Sequence, residues 1–241
     1  MAQRVVAIVQ ARMGSQRFPG KMMALLEGHP LIEWVLRRSL AAQKLDEVVL
    51  ATTNKSEDEV LAEQARGLDV PVFRGSAENV LGRYSEAARE HRADIVVRIC
   101  ADRPLVAPEV VDAAIEAYSD QHPDIAFNHI SWDGQNWPRG FGAEVVSRER
   151  LDWLDRNTTE QRHREHVTLY LHEHSDRFRL LAPKCPRNLD PGQPDVALDV
   201  DLPQHLDELR TICKKATFAI TAAEVMAARA RLATVSRGEP A

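Results

Sequence analysis

The sequence predicts an α/β fold, a doubly wound and mostly parallel sheet with helices on both faces. Short apolar runs, such as residues 5–9 and 94–100, are typical of strands that are buried on both faces. Segments with helical spacing of apolar residues alternate with these runs, which favours right-handed strand–helix–strand units. The 241 residues suffice for one sizeable domain, which we place at residues 1–220, followed by a C-terminal helix and tail at 221–241.

The first half of the chain is predicted to alternate regularly between strands and helices. Strands are expected over residues 5–9, 47–52, 71–73 and 94–100. A first helix is expected after Pro30, because proline is favoured at the first helical position. A second helix is predicted from Ser56, with Glu59 completing a capping box, to Gly67. Further helices are expected over residues 77–91 and 108–118.

The pattern becomes less regular after Pro123. Strands are predicted over residues 125–129, 143–147, 177–182 and 196–199, and helices over 148–156, 160–174, 203–215 and 221–232. Residues 131–138 indicate an exposed, turn-rich excursion, and residues 183–194, with four prolines and a glycine, indicate a loop. From Ser236 onward we expect a frayed end.

Composition excludes several classes of function. A net charge of −5 gives no general attraction to DNA, RNA or an anionic membrane. The three cysteines, Cys100, Cys185 and Cys213, lack the paired spacing of a metal site and are typical of a reducing compartment. No secretory signal and no run near the length of a membrane helix is present in the sequence. We therefore expect a cytoplasmic protein without nucleic-acid or membrane partners.

The turn after the first predicted strand carries two glycines and the cations Arg12, Arg17 and Lys21. Glycines let backbone N–H groups approach an anion, and arginine and lysine supply the matching charge. The spacing fits neither a Walker loop nor a dinucleotide fingerprint, because five residues separate Gly14 from Gly20 and Met22 follows the lysine. The turn predicts binding of a nucleotide polyphosphate; the alternative is an ordinary turn with solvated basic residues.

Two acidic stretches complete the predicted site. Asp102 follows a predicted strand end, where ligands bind in doubly wound sheets. Asp199 and Asp201 are two apart, so in an extended chain their side chains would face the same way. Magnesium takes one or two protein carboxylates and leaves its other positions to water and phosphate. The alternatives are a loop-capping role for Asp102 and a helix N-cap for Asp201.

The stretch from Ala11 to Lys21 resembles the A-R-x-x-S-x-R-x-P-x-K loop of the cytidylyltransferases that activate acidic sugars. The sequence of this loop is most similar to that of the branch of the family named for spore-coat polysaccharide biosynthesis. Residues 102–105 resemble the family's D-x-P-L turn, and residues 200–203 resemble its V-D-T-P-E-D motif. Similar segments extend the resemblance over about residues 5–212. Departures are Ala101 in place of glycine, Leu202 in place of threonine, and Gln-His at 204–205 in place of Glu-Asp.

The resemblance implies roles for particular residues. Asp102 and Asp201 would bind Mg²⁺, with Asp199 behind them or at a second metal ion, and Arg17 and Lys21 would offset charge on the leaving pyrophosphate. The residues implied in nucleotide binding are Ala11, Arg12, Gly14, Ser15, Lys21, Arg74 and Arg83. Those implied in substrate binding are Arg98, Arg139, Glu144 and His166. The carboxylate of an acidic substrate would be bound by one of three arginines, Arg74, Arg98 or Arg139. Residues 123–182 would contain the sugar pocket and a homodimer contact.

The sequence therefore predicts a magnesium-dependent enzyme that transfers CMP from CTP to a sugar hydroxyl, with an acidic keto-sugar as the favoured acceptor. Three alternatives remain open: another nucleoside triphosphate, a non-sugar acceptor such as a polyol phosphate or phosphonate, and a relative that binds nucleotide without catalysis. The histidines at 163, 166, 172 and 174 lack zinc-protease spacing, so we predict surface or interface roles for them. For Trp132 and Trp137 we predict packing or a place in a dimer arm.

Overall fold

A seven-stranded sheet forms the centre of the computed structural model, which describes residues 3–193 and 196–236. The strands are β1 (Val5–Gln10), β2 (Leu25–Leu26), β3 (His29–Pro30), β4 (Glu47–Thr53), β5 (Val72–Gly75), β6 (Ile95–Cys100), β7 (Ile125–Phe127), β8 (Glu144–Ser147) and β9 (Leu180–Leu181). The sheet has the order β5-β4-β1-β6-β8-β7-β9, while β2 and β3 form a separate hairpin. Strand β1 pairs in parallel with β4 and β6, and β8 runs antiparallel to β6 and β7. The predicted fold class is confirmed.

Helices cover both faces of the sheet. They are α1 (Leu31–Leu40), α2 (Glu59–Arg66), α3 (Val80–Glu90), α4 (Pro108–Gln121), α5 (Arg148–Asn157), α6 (Gln161–Glu165), α7 (Leu169–Glu173), α8 (Pro203–Ile212) and α9 (Ala222–Ser236). Successive residues of β1 point to opposite faces: Ala7 packs with α1, α2 and α4, and Ile8 packs with α3, α5 and α7. A third apolar cluster, around Trp34, Trp137 and Phe141, joins α8 and α9 to the rest.

Several predicted elements differ from the structure. The predicted helix at 160–174 is broken into α6 and α7, and the break lies where the Thr168 hydroxyl donates to the buried Glu144 carboxylate at 2.6 Å. The predicted strand at 196–199 forms only a bridge between Ala197 and Arg139. The strand at 177–182 is reduced to two residues. Tertiary contacts, which periodicity does not contain, decide each of these cases.

Two local predictions were also wrong. Ser56 begins a short 3-10 turn, Ser56–Asp58, and α2 begins after it without a side-chain cap, so the capping box does not form. The excursion at 131–138 is not wholly exposed, because Trp137 is buried and its indole N–H donates to the Pro183 carbonyl at 2.7 Å. Ser236 is the last residue of α9, and the rest of the predicted frayed tail lies outside the described residues.

Within the described ranges, no helix combines the length and the apolarity needed to span a membrane.

Candidate active site

A cavity of about 630 Å³ opens at the carboxyl ends of β1 and β6. Its walls are formed by most of residues 10–17, by Lys21 and Met22, by residues 100–102, and by Lys55, Glu165 and Asp201. The turn that follows β1, residues 11–21, is the segment predicted to bind the polyphosphate, and for that reason it is called the phosphate loop below. Parallel sheets bind ligands at this edge, and the volume is that of a small-molecule site. The phosphate loop and both predicted metal-binding carboxylates thus share one cavity.

Lys21 lies at the centre of the polar contacts in this cavity. Its side chain is largely buried, and its ammonium group donates to the Val200 carbonyl at 2.7 Å. The same group lies 3.5 Å from Asp201 and 4.0 Å from Asp102. Lys21 and Asp201 are 180 positions apart in the chain. Their side chains meet because the loop after β1 and the segment before α8 lie at the same sheet edge.

Arg17 adds a second cation on the open side of the cavity. Its guanidinium lies 3.0 Å from Asp201, and its side chain is 66% exposed. The Asp201 carboxylate is therefore paired with two cations, Lys21 and Arg17. A group this exposed exchanges partners at little cost, because solvent screens exposed ion pairs.

The carboxylate of Asp102 fits a divalent cation. Its Oδ1 atom is buried and has no hydrogen-bond partner among the described residues, and the same is true of the Gln10 side-chain oxygen in the cavity wall. A buried acceptor without a donor is costly, and a cation would satisfy it. No group of three or more His, Cys, Asp or Glu side chains in the described ranges is arranged to hold a metal. A metal ion here would need ligands from the bound substrate and water.

Asp199 does not line this cavity. Its carboxylate lies 3.4 Å from the guanidinium of Arg139, while Asp201 contacts Lys21 and Arg17. Residues 196–201 alternate between buried and half-buried positions, as in an extended chain, although they form a single bridge rather than a strand. A metal-binding role for Asp199 remains a prediction.

Within the phosphate loop, Ala11, Arg12, Gly14 and Ser15 line the cavity, and their role in nucleotide binding remains a prediction. Arg12 lies across the opening, where its guanidinium is 3.5 Å from Glu165 and 3.4 Å from the Ala77 carbonyl. Sequence reasoning missed Glu165, Lys55 and Gln10 as wall residues. Lys55 could have been found, because it follows the end of β4, which neighbours β1.

The other two predicted nucleotide-binding arginines lie outside the walls of the cavity. Arg74 pairs with Glu59 and donates to the carbonyls of Thr53, at 3.0 Å, and Lys55, at 2.9 Å. Arg83 is buried and donates to the Ser76 carbonyl, while its Nε and Nη2 atoms have no partner among the described residues. Burial lowers the pKa of Arg83.

A buried polar cluster lies beside the cavity at the same sheet edge. Glu144 accepts from Arg98 at 2.8 Å and from Thr168 at 2.6 Å, and its other oxygen is 3.0 Å from Nε2 of His129. Burial acts to raise the pKa of Glu144, but the charge of Arg98 and the contact with His129 outweigh it and hold that pKa well below its usual range. Burial, aided by Arg103, lowers the pKa of His129 to about 4. The cluster therefore holds one ionised pair and a neutral histidine at pH 7.

The predicted substrate-binding residues are not brought together. Arg98 and Glu144 pair with each other inside this cluster, and Arg139 pairs with Asp199. His166 is exposed and lies outside the cavity walls, although its neighbour Glu165 is part of them. His163, expected at the surface or at an interface, is buried within this chain, with its Nε2 atom 2.8 Å from Glu173. The four substrate roles remain predictions.

Solved structures of known proteins share this fold. A cytidylyltransferase from Leptospira borgpetersenii superimposes with a TM-score of 0.87 at 24% identity, over 100% of this chain and 99% of that one. A CMP:2-keto-3-deoxy-manno-octonic acid synthetase complexed with CTP gives 0.65 at 17% identity, over 88% and 99%. A Mycobacterium tuberculosis protein solved as a manganese complex gives 0.58 at 19% identity, over 86% and 98%. The chain shares the fold of these proteins.

Sequence comparison specifies the family. The model for cytidylyltransferases matches residues 6–225. The spore coat polysaccharide biosynthesis protein SpsF of Bacillus subtilis is 32% identical over 217 residues, 88% of this chain and 87% of that protein. An uncharacterized protein of Methanocaldococcus jannaschii is 33% identical over 186 residues, 77% of this chain and 74% of that protein. A 3-deoxy-manno-octulosonate cytidylyltransferase of Pelobacter propionicus is 34% identical over 116 residues, 48% of this chain and 45% of that protein. The chain belongs to the cytidylyltransferase family and is a nucleotidyltransferase, which confirms the resemblance.

Proposed function

We propose that the protein transfers CMP from CTP to a hydroxyl group of a sugar, with release of pyrophosphate and with Mg²⁺ as the metal ion. The observation that carries this proposal is the single cavity in which Lys21 lies within 4.0 Å of both Asp102 and Asp201. Membership of the cytidylyltransferase family supports it, as does the likeness to a synthetase solved with CTP. The name of the Bacillus subtilis relative supports a place in polysaccharide biosynthesis.

The phosphate loop would hold the triphosphate. Residues 11, 12, 14 and 15 form part of the cavity wall together with Arg17 and Lys21, and the amides of Arg12 and Gly14 donate no hydrogen bond within the described ranges. Attack of a hydroxyl oxygen on the α-phosphorus forms one P–O bond and breaks the bond to the β-phosphate oxygen. Negative charge then grows on the leaving pyrophosphate, where the two cations stabilise it more than they stabilise the bound substrate.

Asp102 and Asp201 would hold the metal ion. The buried and unpartnered oxygen of Asp102 supports this assignment, and a manganese complex is known for a protein of the same fold. A bound Mg²⁺ ion would neutralise phosphate charge and polarise the reacting oxygens. Lys21 and Arg17 both contact Asp201, so the two cations lie beside the residues that would hold the metal ion.

The acceptor remains the least specified part of the proposal. Two of the relatives act on or make an activated 3-deoxy-manno-octulosonate by name, which makes an acidic keto-sugar the first class to test. All three arginines predicted to bind its acidic group are paired with carboxylates of the chain itself. The homodimer and the cytoplasmic location expected from the sequence also remain predictions.

Pyrophosphate release is the direct test. The purified protein is mixed with Mg²⁺, one of the four ribonucleoside triphosphates, and a panel of keto-acid sugars, neutral sugars, sugar 1-phosphates and polyol phosphates. We expect release with CTP and a sugar acceptor. Release with another triphosphate only, or with a phosphorylated acceptor only, would replace the proposal by the corresponding alternative. CTP binding without release for any acceptor would indicate a non-catalytic relative.

Two variants test the assignment of the residues. Lys21→Ala and Asp201→Asn are each expected to lower kcat/KM by about 10²-fold or more, because each removes a charge that acts on the reacting phosphates. The matched controls are Lys44→Ala and Asp207→Asn, which alter ion pairs that lie outside the cavity walls. Turnover near the wild-type value for either cavity variant, at saturating Mg²⁺, would show that the assignment is wrong.

A further inference from the structure

We propose that Asp58 is a positioning residue for nucleotide binding, a buried carboxylate that holds the phosphate loop in its binding conformation. The inference rests on the proposed function. Asp58 is fully buried, and its Oδ1 atom accepts a hydrogen bond from the Met13 amide at 2.6 Å. Its Oδ2 atom accepts from the Thr53 amide, at 3.2 Å, and from the Thr53 hydroxyl. One carboxylate therefore ties the phosphate loop to the end of β4.

This tie has no substitute between the two ends of the loop. At one end Ala11 donates to the Ala51 carbonyl at 3.3 Å, and at the other the Gly20 carbonyl accepts from Met23 at 2.9 Å. Between residues 12 and 19, the bond from Met13 to Asp58 is the sole hydrogen bond, within the part of the chain that the structure describes, that joins the backbone to a residue outside the loop. The other backbone contacts of this stretch are internal, as from the Ser15 amide to the Met13 carbonyl at 2.7 Å. A glycine-containing loop that is anchored at one point between its ends keeps its conformation only while that hydrogen bond persists.

The position of the tie explains why it would affect ligand binding. Met13 directly precedes Gly14 and Ser15, both of which line the cavity. A side chain added at Gly14 would lie 3.3 Å from the carboxylate of Glu57, so the turn Ser56–Asp58 packs closely against the loop. Fixing the Met13 peptide fixes the direction of the N–H groups that follow it. Preorganised donors bind an anion more tightly, because the free energy of binding is not reduced by the entropy lost in ordering the loop.

The turn that carries Asp58 is itself braced. Arg74 donates to the carbonyls of Thr53 and Lys55, on either side of residue 54, and pairs with Glu59 at the start of α2. This geometry gives Arg74 a role in supporting the turn. An arginine predicted to touch the nucleotide would then act on it through Asp58 and the phosphate loop.

The test compares Asp58→Asn with Asp46→Asn. Asp46 makes the same kind of contact at the opposite end of β1, where its carboxylate accepts from the Val5 amide at 2.7 Å. Asparagine keeps one acceptor but places an N–H₂ group against donors on the other side. We expect the Kd for CTP with Mg²⁺, measured by calorimetry, to rise about tenfold or more in Asp58→Asn and to stay within twofold in Asp46→Asn. Thermal unfolding of both variants separates this effect from loss of the fold.

Amide hydrogen exchange in the wild-type protein provides a test that does not depend on the variant folding. The Met13 amide is expected to exchange at least tenfold more slowly than the amides of Arg12 and Gly14 without ligand. Equal exchange rates, a Kd for CTP within twofold of wild type in Asp58→Asn, or an equal effect of Asp46→Asn would overturn the inference. Binding of CTP to the wild type, measured first, keeps the two proposals apart: its absence overturns the proposed function, whereas binding that both variants retain overturns only the role of Asp58.

Discussion

Mild acid is expected to destabilise the protein through His129. The ring is 5% exposed, its Nε2 atom is 3.0 Å from Glu144, and burial lowers its pKa to about 4 from a reference value of 6.5. The unfolded chain binds a proton at this histidine below pH 6.5, whereas the folded chain does so only below about pH 4. Unfolding therefore takes up a proton in that window, and stability falls as the pH falls through it.

The size of the effect follows from the pKa shift of His129. Each pH unit between the two pKa values is worth about 1.4 kcal/mol, so the free energy of unfolding should fall by roughly 2 kcal/mol between pH 6.5 and pH 5. Burial also lowers the pKa of His172, which adds a loss in the same direction that is common to all the proteins compared. The difference in this stability loss between the wild type and a His129 variant therefore gives the contribution of His129 alone.

The assay is urea unfolding at pH 7 and pH 5 for the wild type, His129→Gln and the control His122→Gln, in which an exposed histidine is replaced. We expect His129→Gln to lose about 2 kcal/mol less than the wild type on acidification, and His122→Gln to follow the wild type. If His129→Gln loses as much stability as the wild type over this range, the histidine is not held neutral by burial and the reasoning is refuted.

Two further predictions concern packing around the same sheet edge. Glu144→Ala should lower the free energy of unfolding by about 3–5 kcal/mol, because it leaves the buried charge of Arg98 without its partner. The double variant Arg98→Met/Glu144→Leu should recover at least half of that loss in urea unfolding, and no recovery would contradict the explanation. Gly142→Ala should cost about 3 kcal/mol or more, because an added Cβ atom would lie 2.1 Å from the backbone oxygen of Asn128. In Gly134→Ala the Cβ meets nothing within 4 Å and only the positive φ opposes it, so a loss of about 1 kcal/mol is expected; equal losses would show that close approach is not the cause.

Much of the fold could be predicted because its signals are local. The apolar runs that became β1, β4 and β6 are long enough to be strands buried on both faces, and their predicted ends are within one residue of the observed ones. The break between α6 and α7 and the loss of the strand at 196–199 could not be predicted. They depend on contacts with Glu144 and Arg139, residues that are distant in the chain.

The candidate site divides in the same way. The phosphate loop carries its glycines and cations in consecutive positions, so its chemistry is readable in the sequence. Glu165 and Asp58 could not be assigned from local pattern, because a glutamate or an aspartate has the same local appearance on a solvated surface. Only the fold shows that one of these carboxylates is buried under the loop.

The amino-acid sequence by itself determined the class of fold, the position of the basic loop after β1, and the carboxylates that follow β6 and precede α8. These follow from periodicity and residue chemistry, which act over a few neighbouring positions. The tertiary structure decided which charges meet: Lys21 with Asp201 and Asp102, Arg98 with Glu144, and Asp58 with the Met13 amide. Electrostatic and hydrogen-bonding interactions depend on distance in space and on burial, and only packing of the whole chain sets both.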